Sequence, residues 1–141
     1  MALGAFGLTT NGSASDLTVL TAATTACTAI TGLTGMQSLT VSLRFAYGSG
    51  GTTVKAYIQT SIDGGTTWDD VACWAPTNAN ASKRWNFSAL TPVTTPITPS
   101  DGAMTDNTFQ DGCLGDRVRL KVVSTGTYAG STTLVGRMVA H

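Results

Sequence analysis

The chain has 141 residues, eight basic and eight acidic side chains, and only 11% charged residues. With 26 Thr, 17 Ala, 16 Gly and 11 Ser, no Glu and three Lys, it lacks the residues that solvate helical bundles. A zero net charge argues against a nucleic-acid binder that relies on a strong positive field, and 42% hydrophobic residues argue against disorder. A Thr-, Val- and Gly-rich chain of this length predicts one all-β domain.

The expected organisation is a flexible N-terminal arm over residues 1–16, followed by a β-sandwich domain over 17–141. The first segment is rich in Gly, Ala and Ser, with Leu3, Phe6 and Leu8 as its large apolar anchors. It reads as a detachable arm that orders only against a partner. It carries no basic region followed by a long apolar run, so no signal peptide is expected, and no stretch is long and apolar enough to span a bilayer.

Thr alternates with aliphatic residues from Leu17 to Ala29, which predicts one or two strands. Leu39, Val41, Leu43, Phe45 and Tyr47 share one face of a longer strand. After Gly48-Ser49-Gly50-Gly51, the next strand turns Val54, Ala56 and Ile58 inward and Lys55, Tyr57 and Gln59 outward. The two are expected to form a hairpin. Val71 to Trp74 is a short apolar strand, and Lys83 to Leu90 places Trp85 and Phe87 on one face. Pro92, Pro96 and Pro99 make residues 91–99 an edge strand or extended loop. Asp101 to Asp116 is a polar excursion of the length that functional or interface loops have. Val118, Leu120 and Val122 alternate with Arg117, Arg119 and Lys121, and residues 133–140 return in a second expected hairpin. About eight short strands define a single antiparallel sandwich or jelly roll.

The sharpest motif is Ser61-Ile62-Asp63-Gly64-Gly65-Thr66-Thr67-Trp68, which fits the Asp-box pattern S-x-D-x-G-x-T-W at Ser61, Asp63, Gly65, Thr67 and Trp68. Such a box resembles those of sialidases and other β-propellers, where it closes a hairpin away from the active site. One box in 141 residues is far from a propeller, so its expected role is structural. No catalytic set is expected. The single histidine is His141, and the adjacent Asp69 and Asp70 point to opposite faces of a strand, where they cannot share a substrate. Cofactor and metal are both expected to be none. Asp101, Asp106, Asn107, Asp111 and Asp116 offer oxygen ligands for Ca²⁺ without EF-hand spacing, and turn capping is their simpler use.

Cys27, Cys73 and Cys113 are odd in number and fit no metal knuckle. Free buried thiols are the simplest expectation, with a Cys73–Cys113 disulfide as the alternative. Arg117, Arg119 and Lys121 form a basic row that Arg44, Lys55 and Arg137 could join. It reads either as a solvated strand face or as an interface for an acidic partner. Tyr57, Trp68, Trp74, Trp85 and Tyr128 could supply a glycan-stacking platform.

Residues 45–61 running into the Asp-box, together with residues 90–95 and 114–122, resemble small β-rich structural proteins of tailed bacteriophages. The similarity covers roughly residues 37–140. It implies a non-enzymatic virion protein assembled in the host cytoplasm, with a capsid decoration protein as the first expectation. A neck, collar or tail component is the alternative within that class, and a carbohydrate-binding module the alternative outside it. The implied partners are the major capsid protein or other virion proteins, with a homo-oligomer expected and neither nucleic acid nor membrane bound. A neutral surface suits such packing, because crowded neighbours do not repel.

Overall fold

The computed structural model describes residues 4–9, 17, 18 and 23–141. The protein is all-β, with every strand pair antiparallel. The strands are β1 (Gly4–Gly7), β2 (Leu17–Thr18), β3 (Ala23–Ala26), β4 (Ser38–Ala46), β5 (Ser49–Gly50) and β6 (Thr53–Ser61). They continue with β7 (Asp69–Trp74), β8 (Ala81–Ser88), β9 (Thr108–Phe109), β10 (Arg117–Thr125), β11 (Tyr128–Ala129) and β12 (Thr133–Ala140). One sheet runs β1-β12-β4-β8, with β2 beside β12, and the other runs β3-β10-β6-β7-β9.

Eight of these strands have four residues or more. Numbered one to eight along the chain, they lie in the orders 1-8-3-6 and 2-7-4-5. The strands of one long antiparallel hairpin (1 with 8, 2 with 7, 3 with 6, 4 with 5) have been wrapped so that 8 meets 3 and 7 meets 4. That is the double Greek key of a jelly roll.

The wrap overturns both expected hairpins. Strands β4 and β6 lie in opposite sheets, as do β10 and β12. The inward faces are those the alternation predicts: Leu39, Val41, Leu43 and Phe45 are buried on β4, and Val54, Ala56 and Ile58 on β6. A period of two, however, states only that one face is buried. It does not say whether the next strand lies beside its neighbour or about 10 Å across the core. The two crossings instead pair with each other, β5 with β11, and close one end of the sandwich. Tyr128 plugs that end, edge-on to Phe45 at 6.1 Å between ring centroids. Gly51 has φ 74° and a side chain there would enter the Tyr128 ring, so both conformation and space demand glycine.

The N-terminal segment also departs from expectation. Leu3 lies outside the described residues, but residues 4–7 form β1 on the free edge of β12, with Phe6 opposite Met138. The Leu8 amide donates to the Gly136 carbonyl at 2.8 Å, its side chain is 0% exposed, and Phe6 packs against the core. Residues 4–9 therefore belong to the sandwich. Four residues containing two glycines carry almost no strand signal; the unpaired edge of β12 supplies the hydrogen bonds that make them one.

Candidate functional site

The Ser61–Trp68 turn links β6 to β7 and is held by two side chains. The Ser61 hydroxyl accepts from the Gly65 amide at 2.9 Å and donates to Asp63 Oδ1 at 2.9 Å. Asp63 accepts the Thr67 amide on Oδ1 at 2.8 Å and the Thr67 hydroxyl on Oδ2 at 2.6 Å. Gly64 and Gly65, at φ 75° and 90°, supply the left-handed conformations. The Thr67 hydroxyl and amide hold the Asp63 carboxyl down at about 2. Trp68 lies under Arg119, whose guanidinium carbon is 4.3 Å from the ring centroid. The turn is a clasp whose polar groups are spent on itself.

Two of the three cations of the expected basic row, Arg119 and Lys121, are taken up by intramolecular hydrogen bonds, while the buried Arg117 Nε has none. On the outer face of the second sheet, Arg119 Nε donates to Gln59 Oε1 at 2.8 Å, and Lys121 Nζ bonds Asp101 at 2.8 Å. Arg117 lies 4.0 Å from the Asp116 carboxylate, an ion-pair distance but too long for a hydrogen bond. Gln59 is 0% exposed, and its amide nitrogen donates to both Asp70 at 2.8 Å and Asp101 at 2.7 Å. Lys121 and Gln59 lower the Asp101 carboxyl, while burial lowers the Arg119 guanidinium against the pull of Asp101. Arg44 and Arg137 do not join this row, because β4 and β12 belong to the other sheet.

Asp70 is the centre of this arrangement. Its carboxylate accepts from Gln59, from the Ser100 hydroxyl at 2.9 Å, and from the amides of Gly102 at 2.9 Å, Ala103 at 3.0 Å and Met104 at 3.2 Å. It thereby ties residues 100–104 over the outer face of the sheet. A β-bulge puts it there. Ala72 pairs with Ile58 and Asp70 with Gln59, leaving Val71 as the extra residue. Without that insertion Asp70 would share the inward face of Ala72 and bring a charge into the core. Asp70 is buried, and burial raises the half-buried Asp69 carboxyl.

The loop carboxylates serve as turn and strand caps. Asp111 accepts the Ser88 amide at 2.6 Å and the Thr91 hydroxyl at 2.9 Å, the former being the main cause of its lowered carboxyl. Asp106 pairs with Lys55 at 2.8 Å, and Asn107 accepts the Ala75 amide at 3.1 Å. Among the described residues no three His, Cys, Asp or Glu side chains converge as metal ligands. The Cys73–Cys113 disulfide is not formed: Cys73 is a buried thiol and Cys113 an exposed one. Burial raises the Cys73 thiol. The glycan platform is largely dismantled, since Tyr57, Trp74 and Tyr128 are 4%, 3% and 1% exposed. Tyr57 and Gln59 are both buried although the alternation alone turns them outward, and Gln59 lies under Asp101; nothing in β6 itself signals that cover.

The first sheet is different, because none of the described residues crosses its outer face in this way. Register places Arg137, Ser42 and Arg84 side by side across β12, β4 and β8, with Val135, Arg44 and Ser82 in the next outward row. These residues and Lys83 line a shallow depression of about 620 Å³. The four cations are exposed, and no carboxylate among the described residues pairs with them. All seven described aspartates belong to the second sheet, its turn or residues 89–116; the eighth, Asp16, lies outside the described residues. The zero net charge thus hides a segregation that composition could not reveal.

No known protein family, curated protein or solved structure matches the chain. Among the described residues no helix is long and apolar enough to cross a membrane.

Proposed function

We propose that the chain is a non-enzymatic structural protein of a tailed-phage virion, a decoration protein that binds the outer capsid lattice. The observation that carries this reading is the strand order 1-8-3-6 and 2-7-4-5, an architecture that recurs in virion shell proteins and in lectins. Architecture alone does not separate those two uses. Burial of Tyr57, Trp74 and Tyr128 weakens the lectin alternative, and the resemblance over residues 37–140 favours the virion. In this reading the major capsid protein is the partner, and self-association into a homo-oligomer accompanies docking.

Quantitative mass spectrometry of purified virions of the encoding phage tests it by counting copies per major capsid protein. Near-stoichiometric copies are expected. A dozen or so per particle would move the chain to the neck, collar or tail, and absence from the particle would overturn the virion reading.

A further inference from the structure

We propose that the outer face of the β1-β12-β4-β8 sheet is a docking surface for another protein, one that presents a cluster of unpaired carboxylates. This goes beyond the virion reading, because it fixes the chemistry of the contact whatever assembly carries the partner.

Three observations carry it. First, residues 100–104 are tied down by Asp70 over the outer face of one sheet, while none of the described residues is tied over the other in this way. Second, the open face concentrates cations with no paired carboxylate among the described residues. Arg137 and Arg84 flank Ser42 on neighbouring strands about 4.8 Å apart, and Arg44 stands two residues further along β4. Arginine forks bind carboxylates in bidentate fashion and carry less hydration than lysine, so they suit a protein contact. Third, small side chains fill the spaces between them: Ser42, Ser82, Thr40 and Val135 leave the sheet flat enough to meet another surface.

The chemistry of the face selects its occupant. A second copy of this chain is a poor match, because most described carboxylates are already engaged: Asp63, Asp70, Asp101 and Asp111 in hydrogen bonds, Asp106 with Lys55, Asp116 near Arg117. A nucleic acid would want stacking rings between the cations, and the outward rows hold none. A different protein with free Asp or Glu side chains remains. Three strands of eight or nine residues and a fourth of four, about 4.8 Å apart, make a face of roughly 450 Å², below the roughly 800 Å² per partner of a standard interface. A single contact is therefore weak, and repeated copies strengthen it.

The test uses the full chain and immobilised poly-L-glutamate as the carboxylate probe, read by biolayer interferometry at 50 and 200 mM salt. The triple variant Arg44→Thr/Arg84→Thr/Arg137→Thr alters only exposed positions of a Thr-rich surface, and its thermal melt serves as the folding control. Exposed ion pairs each contribute modestly, so the triple variant is expected to bind about tenfold more weakly. Arg84→Thr alone should weaken binding about twofold, while Lys55→Thr, which removes one cation from the other sheet, should leave it unchanged. Binding should weaken further at the higher salt. A folded triple variant that binds within twofold of the parent overturns the proposal, as does equal weakening by Lys55→Thr. Tighter binding to a DNA duplex than to poly-L-glutamate overturns the assignment in favour of nucleic acid. A dimer in sedimentation that the triple variant abolishes overturns it in favour of a second copy.

Discussion

Replacing Asp70 with alanine removes the carboxylate that fastens residues 89–116 to the sheet. The substitution deletes the acceptor for Gln59, for the Ser100 hydroxyl and for the amides of Gly102, Ala103 and Met104. Hydrogen bonds to a charged group are worth about 1.5–3 kcal/mol each, but they are not additive and the freed loop amides can turn to water. Breaking a buried polar network typically costs about 3–5 kcal/mol, and that is the expected loss here. For 141 residues, an unfolding entropy of about 2.1 cal/mol/K per residue amounts to roughly 0.3 kcal/mol per kelvin, so Tm should fall by about 10–17 °C. Asp70→Asn should lose less, because the amide keeps one acceptor while turning its NH₂ towards backbone donors. Urea denaturation gives the free energy, and limited proteolysis asks whether cleavage concentrates in residues 89–116. A loss under 1 kcal/mol for Asp70→Ala, with an unchanged cleavage pattern, would refute the view that this carboxylate holds the crossing.

Leu8→Ala should destabilise by about 2–5 kcal/mol, since the side chain is fully buried, whereas an arm residue would show no change in a chemical melt. The Asp63 carboxyl is shifted from 3.8 to about 2, so the stability it supplies is complete above pH 4 and is lost as pH falls towards 2. Asp101 and Asp111 shift in the same direction, so Asp63→Asn should flatten only part of the decline in Tm between pH 4 and 2. Under native, non-reducing conditions a thiol reagent should label Cys113 quickly and Cys27 and Cys73 slowly, with three thiols counted after denaturation. A total of one would restore the Cys73–Cys113 bridge.

How much of this was legible beforehand depends on the range of the physics involved. The β class, the buried faces of β4, β6 and β10, and the Ser61–Trp68 clasp were all readable. Each depends on local rules: the two-residue alternation of a strand, the turn chemistry of Asp and Gly, and the scarcity of helix-solvating residues. The partners of those strands were not readable, because alternation is blind to which sheet a strand joins. Two loops of similar composition could have closed hairpins; instead they carry the chain across the core.

The fates of the charges were also decided by tertiary structure. Arg119 and Lys121 are absorbed by Gln59, Trp68 and Asp101, while Arg117 of the same sequence row only stands near Asp116, its buried Nε without a hydrogen bond. Arg44, Arg84 and Arg137, scattered over 94 positions of sequence, meet on one open face because β4 sits between β8 and β12. Asp70 depended on one inserted residue for its direction. A sequence sets which side chains alternate and where a turn is cheap; only strand order decides which distant charges become neighbours.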